Sequence, residues 1–380
     1  MAIYLDHAAT TPIHPEVKEA MLPYLEERFG NPSSIHSFGR EIRNAIDQAR
    51  DQVAQGLVAN PGQLLFTSGG TEADNLALVG SALARRERGR DHVITSAVEH
   101  HAVLDTCSYL ERLGFRVTIL PVDETGRVAP EDLRQVVDES TALVSIMMGN
   151  NEVGTIQPIQ ELGAIAHESG AWFHIDAVQA YGVIDIDVRE YPVDLVTISS
   201  HKINGPKGVG ALWLAEGVNP WPQMYGGQQE RRRRAGTENV PGIVGFGKAA
   251  QIATAHRQKH RDAVTCCRDA MLAEWRNAGI EFQINGHPTE YLPHILNVSF
   301  PGTETETVLM NLDIEGIACA SGSACTSGTL EISHVLKAMK LPEAIIRSAI
   351  RFSFGLGNTP EQVAEAARTV AHVVKRLRRN

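Results

Sequence analysis

The sequence has no surplus of positive charge. Lysine and arginine total 35 against 45 aspartates and glutamates, a formal net charge of −10. That balance argues against a surface built for nucleic-acid phosphates. The run Arg231 to Arg234 and the basic end "VVKRLRRN" are therefore local features; cations in a last helical turn suit the helix dipole. No apolar run reaches the roughly 18 residues needed to cross a bilayer. The start, "MAIYLDHAATTP", lacks the basic and apolar segments of a secretory signal. A cytoplasmic protein without membrane contact is expected. Cysteine is scarce: Cys107, Cys266, Cys267, Cys319 and Cys325, with no Cys-x-x-Cys pair. An odd set without a secretion signal reads as reduced thiols, and no zinc-ligand spacing appears. Also absent are a Walker lysine motif, a dinucleotide fingerprint, internal repeats and low-complexity segments.

What is present is a long chain with a regular alternation of patterns. At 380 residues and 43% hydrophobic content it is too long for one ordinary core, and two domains are expected. From residue 60 to about 215, short β-rich runs such as "QLLFTSGG", "HVITSAVE", "TALVSIMM", "AWFHIDAV" and "VDLVTISS" alternate with helical stretches. This predicts an α/β domain with a mostly parallel central sheet. The link "HKINGPKG" before "VGALWLAE" is short for a crossover and predicts one antiparallel edge. A long helical pattern then runs from Gly242 to a C-cap at Gly279. Beyond it, "HILNVSF" and "SAIRFSFG" read as strands of a smaller α+β domain. In the second, Ile350, Phe352 and Phe354 share one face and Arg351 turns to the other. The last helix is expected to start with Thr359 as N-cap, Pro360 at its first position and Gln362 closing a capping box. The expected division is a large domain over residues 15–254 and a small one over residues 1–14 and 255–380.

Three strand ends carry polar groups where an open α/β sheet binds its ligand. "TSGGTEADN" is a strand, a Gly-Gly turn and a helix start, whose free N–H groups favour a phosphate; by itself it reads rather as a plain helix cap at Thr71. Asp176 ends a buried strand, where a carboxylate needs a partner. Lys202 closes the next one, in "ISSHKINGPKG", and lysine is almost never fully buried unpaired. Singly, Asp176 fits a salt bridge, and Lys202 a chain snorkelling from the sheet edge. Together, a phosphate cradle, an aspartate and a lysine are what pyridoxal phosphate requires: an anchor, a partner for its ring nitrogen and an imine-forming amine. Cys325 sits apart in "ASGSACTSG", among residues too small to hold it in a core.

The segments "YLDHAATTP", "GNPSSIHSFGR", "FTSGGTEADN", "VEHHAVLD", "NNEVGTIQPI", "HIDAVQA", "SSHKINGPKG", "RRAGTENV", "SGSACTSG" and "IRFSFG" resemble, in this order, the cysteine desulfurases of the NifS and IscS type. These are class V, fold-type-I pyridoxal phosphate enzymes, and the resemblance covers nearly the whole chain. It implies that Lys202 forms the Schiff base, Asp176 pairs with the pyridine nitrogen and Gln179 reaches the ring hydroxyl. It also implies that His100 stacks on the ring and moves protons; residue type alone does not choose His100 over His101. Gly70, Thr71, Ser199 and His201 would hold the phosphate, joined by Thr237 from the other subunit of a homodimer. Asn151, at the cofactor, and Arg351 would meet the substrate carboxylate.

The implied reaction takes sulfur from L-cysteine, leaving L-alanine and a persulfide on Cys325, whose thiolate is the nucleophilic form. Sulfur would pass to an iron–sulfur scaffold or to thiolation acceptors. Small residues at Gly322, Ser323, Ala324 and Gly328 would let the cysteine swing between two stations. No metal site is expected, although Cys325 could transiently ligate an iron–sulfur cluster. The other four cysteines match no catalytic position. Two departures stand out: Arg232 where the family commonly has glycine, and Gly149 in place of a larger residue. The chain also stops soon after its last helix, so scaffold docking is expected to differ from that of longer-tailed relatives. Readings left open are a selenocysteine lyase or aminotransferase of the same fold, and a non-catalytic sulfur carrier.

Overall fold

A computed structural model describes residues 2–322 and 332–379. A short strand, β1 (Ile3–Tyr4), lies outside the main sheet. The main sheet contains β2 (Leu64–Thr67), β3 (His92–Ser96), β4 (Arg116–Leu120), β5 (Thr141–Met147), β6 (Trp172–Asp176), β7 (Leu195–Ser199) and β8 (Gly210–Leu214). Their spatial order is β2-β8-β7-β6-β5-β3-β4. Neighbours from β7 to β4 are parallel, whereas β8 runs antiparallel to both β7 and β2. The short link between β7 and β8 thus gives the antiparallel strand the sequence predicts. It is not an edge, however, because β2 pairs along its outer side.

Why these runs are almost wholly apolar is clear from the two cores. Along β3, β5 and β7, Ile94, Val144 and Val196 join one apolar cluster. Their neighbours Val93, Leu143 and Leu195 join another on the opposite face. Both faces are covered, as parallel sheets require. The helix Gly70–Arg86 seals the second face through Leu76, Ala77 and Val79. The helices Ser37–Gln55 and Val240–Ala255 contribute Ile46, Val53, Ile243 and Phe246 to the first.

The predicted long helix from Gly242 is broken at His256 (φ −115°, ψ 15°), giving helices Val240–Ala255 and Arg257–Asn277. Gly279 follows with φ +63°, the left-handed geometry of a C-terminal stop. A second sheet joins β9 (Gln283–Asn285), β10 (Ile295–Ser299) and β12 (Ala349–Ser353), while β11 (Ile317–Ala318) pairs with β1. Ile350, Phe352 and Phe354 pack with Trp275 and Phe300 in a third cluster. The final helix spans Pro360–Leu377, and Thr359 Oγ1 accepts from Gln362 N at 3.3 Å. Among the described residues no helix is long and apolar enough to cross a membrane.

Candidate active site

The C-terminal ends of β5, β6 and β7 open into a cavity of about 580 Å³. Gly70, Thr71, His100, Asn151, Asp176, Gln179, Ser199, His201, Lys202 and Arg351 all line it. Residues from Gly70 to Lys202 are brought together because parallel strands discharge at one edge, and Arg351 joins them from β12 of the second sheet. Of the described residues singled out, only Thr237 is not among them. Thr237 lines a separate small cavity with Ser68, Glu230 and Arg234. Cys325 lies outside the described residues.

One end of the cavity is built for an anion. The helix Gly70–Arg86 begins there with Gly69 as N-cap and no side-chain cap, so its first N–H groups and dipole face outward. Ser199 Oγ, at the end of β7, is buried without a partner. Gly70 is confined: a Cβ there would meet Val178 Cγ2 at 3.0 Å and Ser199 Cβ at 3.7 Å. His201 Nδ1 lies 3.2 Å from Thr10 Oγ1, and burial lowers this imidazole to about 4.

Acidic groups gather beneath. Asp176 is 6% exposed and accepts from Val178 N at 2.8 Å. Burial raises its carboxyl to about 6, opposed by that hydrogen bond and by the charge of Lys202. Asp74, buried beside it, is raised well above its ordinary value by burial and by Asp176 itself. Glu99, which accepts from Ser96 Oγ and Met147 N, is raised to about 8, chiefly by burial. Burial pushes all three carboxyls toward their protonated form, and the charge of Asp176 adds to this at Asp74 and Glu99. Neither Asp74 nor Glu99 was singled out from sequence, although each lies inside a quoted segment, "TSGGTEADN" and "VEHHAVLD".

Lys202 follows β7 in the turn Ser200–Lys202. Its amine donates to the carbonyl oxygens of Ala8 and Ala9, the latter at 2.8 Å. Burial, together with the charge of Arg351, lowers it to about 8. Part of its population is therefore a free amine near neutral pH. Gln179 Nε2 donates to the same Ala8 carbonyl at 2.9 Å. Arg351 projects from the polar side of β12, 5% exposed, as the strand alternation predicts. It donates to Asn151 O at 2.9 Å and Asp6 Oδ1 at 2.8 Å, and its Nε has no partner.

His100 is the N-cap of the helix His101–Arg112, accepting from Ala102 N at 3.1 Å. Its ring faces the cavity, where desolvation, and then the charge of Lys202, lower it to about 4. His101 lines the same cavity, beside Asp105 and the ring of His334. The two histidines differ in that the ring of His100 caps the helix and is the more buried. Cys319 also lines the cavity, but burial pushes its thiol up to about 12, which leaves it a poor nucleophile.

An anion cradle, a buried carboxylate and a depressed amine face one space, and this donor set fits pyridoxal phosphate. Both sequence departures have a visible counterpart. At Gly149 a Cβ would meet Leu292 Cδ1 at 2.7 Å, so Leu292 occupies the space of the larger residue. Arg232 has φ +64°, following Glu230 at +42° and Arg231 at +57°. Three successive non-glycine residues in the left-handed region store strain.

The sequence matches the aminotransferase class-V family over residues 3–365. The cysteine desulfurase IscS of Methanosarcina thermophila is 49% identical over 377 residues, covering 99% of this chain and 93% of that protein. The chain belongs to the class-V aminotransferases, on their cysteine desulfurase branch. The cysteine desulfurase IscS of Dictyoglomus turgidum is 48% identical over 376 residues, covering 99% and 95% of the two chains. Among solved structures, a NifS-like protein superposes with a TM-score of 0.92 at 37% identity, covering 99% of this chain and 100% of its own. SspA, solved in complex with cysteine, gives 0.82 at 35% identity over 93% and 98%.

Proposed function

We propose that this cysteine desulfurase binds pyridoxal phosphate in the 580 Å³ cavity and transfers sulfur from L-cysteine to Cys325. The observation that carries the reading is the convergence of Lys202, Asp176 and the uncapped helix start on one space also faced by Arg351. When bound, the cofactor supplies an electron sink at the substrate's Cα. The helix start, with Gly70, Thr71, Ser199 and His201, holds its phosphate, and Asp176 keeps its ring nitrogen protonated. Gln179 hydrogen-bonds the ring hydroxyl. Lys202, partly deprotonated, supplies the amine that bonds the cofactor. Arg351 and Asn151 orient the carboxylate of L-cysteine. His100, whose imidazole burial keeps uncharged, lines the same space and would move protons there at its ring.

The transfer balances without an external oxidant. The C–S bond of L-cysteine breaks, the Cys325 thiolate takes the sulfur as a persulfide, and protons complete L-alanine. Acceptor proteins then carry the sulfur to iron–sulfur assembly or thiolation, with Cys325 able to ligate a cluster transiently. The protein acts as a homodimer. Thr237 lies off its own subunit's cavity, which suits a contact with the neighbour's phosphate. The cysteines among the described residues are free thiols, in keeping with a cytoplasmic location. The division at residues 254 and 255 belongs to the same reading, supported by the helix break at His256 and by the separate cluster around Trp275.

Cys325→Ser tests the assignment. The variant should still be tagged on Lys202 by borohydride, yet release no alanine from L-cysteine. Undiminished alanine, or a tag on Lys207, contradicts it.

A further inference from the structure

On the reading that Cys325 accepts the sulfur, we propose that Glu152 is a positioning residue for that transfer. Its carboxylate holds together Gly322 and Ser333, which flank the Cys325 segment in sequence. Glu152 lines the main cavity but belongs to none of the cofactor or substrate contacts assigned above. It is only 2% exposed. A carboxylate in such a place needs donors or a cation, and Arg351, which lines the same cavity, pairs with Asp6 instead.

What meets this carboxylate are the two flanking residues. Ser333 Oγ donates to Glu152 Oε2 at 2.5 Å. The same hydroxyl accepts from Leu336 N at 3.1 Å, as N-cap of the helix His334–Ala338. Gly322 packs on that same carboxylate oxygen: the atoms nearest to a Cβ built there are Glu152 Oε2, Cδ and Cγ, and Oε2 would collide with it. The backbone at Gly322 is not left-handed, so space rather than φ calls for glycine. The chain thus departs from one side chain at Gly322 and is back against it at Ser333.

Glu152 is itself fixed, and fixed to the substrate-facing groups. Asn150 Oδ1 accepts from Glu152 N at 2.8 Å and from Val153 N at 2.9 Å, while Asn150 Nδ2 donates to Val98 O at 2.9 Å. Asn297 Nδ2 donates to Glu152 O at 3.2 Å. The adjoining Asn151 offers the carbonyl oxygen that accepts from Arg351 at 2.9 Å. Arg351 pairs through its backbone with Ala320, donating to Ala320 O at 2.7 Å and accepting from Ala320 N at 3.2 Å. The groups assigned to the substrate carboxylate and the residues flanking Cys325 therefore share one frame. Tethering both flanks beside the cavity raises the effective concentration of the thiolate at the substrate sulfur. A reacting atom about 1 Å out of place can cost on the order of 100-fold in rate.

Single-turnover sulfur transfer tests this: the cofactor-loaded, full-length protein receives one equivalent of L-cysteine without reductant, and the Cys325 peptide is weighed over time. Glu152→Ala should slow the gain of sulfur at least about tenfold, with cofactor content and KM for L-cysteine unchanged. Glu152→Gln keeps the length and an acceptor for Ser333, and should restore most of the rate. Gly322→Ala, whose methyl group displaces the carboxylate, should slow the transfer likewise. In Glu152→Ala that space is open, so adding Gly322→Ala should cost no more than about twofold, because changes that act through one contact do not add. If Glu152→Ala fails to fold, Gly322→Ala decides, by a lowered rate at unchanged KM. Equal rates in wild type and Glu152→Ala, additive losses in the double variant, or a loss in Glu152→Gln equal to that in Glu152→Ala overturns the proposal and leaves Cys325 as the acceptor. Wild type that places no sulfur on Cys325 overturns that reading, and the role of Glu152 with it.

Discussion

Glu230→Ala should be among the most damaging single changes outside the main cavity. Arg50 grips the Glu230 carboxylate with two parallel hydrogen bonds, Nη1 to Oε2 at 2.7 Å and Nη2 to Oε1 at 2.8 Å. Phe66 N donates to the same carboxylate at 3.1 Å, and the guanidinium lies 4.8 Å from the Phe66 ring centroid. The two side chains are only 8% and 4% exposed. Removing one partner of such a buried pair strands a charge and costs about 3–5 kcal/mol. An exposed pair such as Arg189–Asp187 is worth about 0–1 kcal/mol. Glu230 also anchors the strained segment that leads to Thr237, the residue proposed to reach the neighbouring subunit. Equilibrium denaturation at fixed protein concentration measures it. The double change Arg50→Met with Glu230→Leu removes both charges and should cost less than Glu230→Ala alone. A loss below about 1 kcal/mol for Glu230→Ala, or a double variant as damaged as the sum of the singles, refutes the reasoning.

Arg351→Lys keeps the charge but loses the planar fork. It should raise KM for L-cysteine at least about tenfold, or about 1.4 kcal/mol, with cofactor content unchanged; an unaltered KM counts against the carboxylate role. Lys202 is lowered to about 8 from an ordinary 10.5. In cofactor-free protein its rate of acylation, read by peptide mass spectrometry, should therefore climb through pH 8 and level off above it. A profile still climbing past pH 10 contradicts the burial argument. Arg232→Gly removes a left-handed strain of about 1–2 kcal/mol against a backbone-entropy cost of about 0.5–1 kcal/mol. It should leave the denaturation midpoint equal or slightly higher, and a marked fall opposes the strain reading.

The sheet was legible because its inner strands are covered on both faces and read as short runs with little polar alternation, whereas the edge strand β4 is largely exposed. Strand alternation alone placed Arg351 opposite Ile350 and Phe352, and the order of polar strand ends pointed to Asp176 and Lys202. What stayed hidden depends on contacts distant in sequence. The carbonyls of Ala8 and Ala9 that hold Lys202 are backbone groups and leave no mark in residue type. Asp6 meets Arg351 across 345 positions. The break at His256 was missed because helical periodicity continues across a single residue of altered ψ. The raised carboxyls of Asp74 and Glu99 owe their shift to burial in a common space, which no spacing records.

The central claim is that Cys325 receives the sulfur, and mass spectrometry of the peptide that carries it tests this most directly. Wild-type protein given one equivalent of L-cysteine without reductant should gain one sulfur atom on Cys325 and release a matching amount of L-alanine. Cys319, whose thiol burial holds near 12, should remain unmodified. Alanine released with the added sulfur on Cys319, or with none on Cys325, would contradict the account.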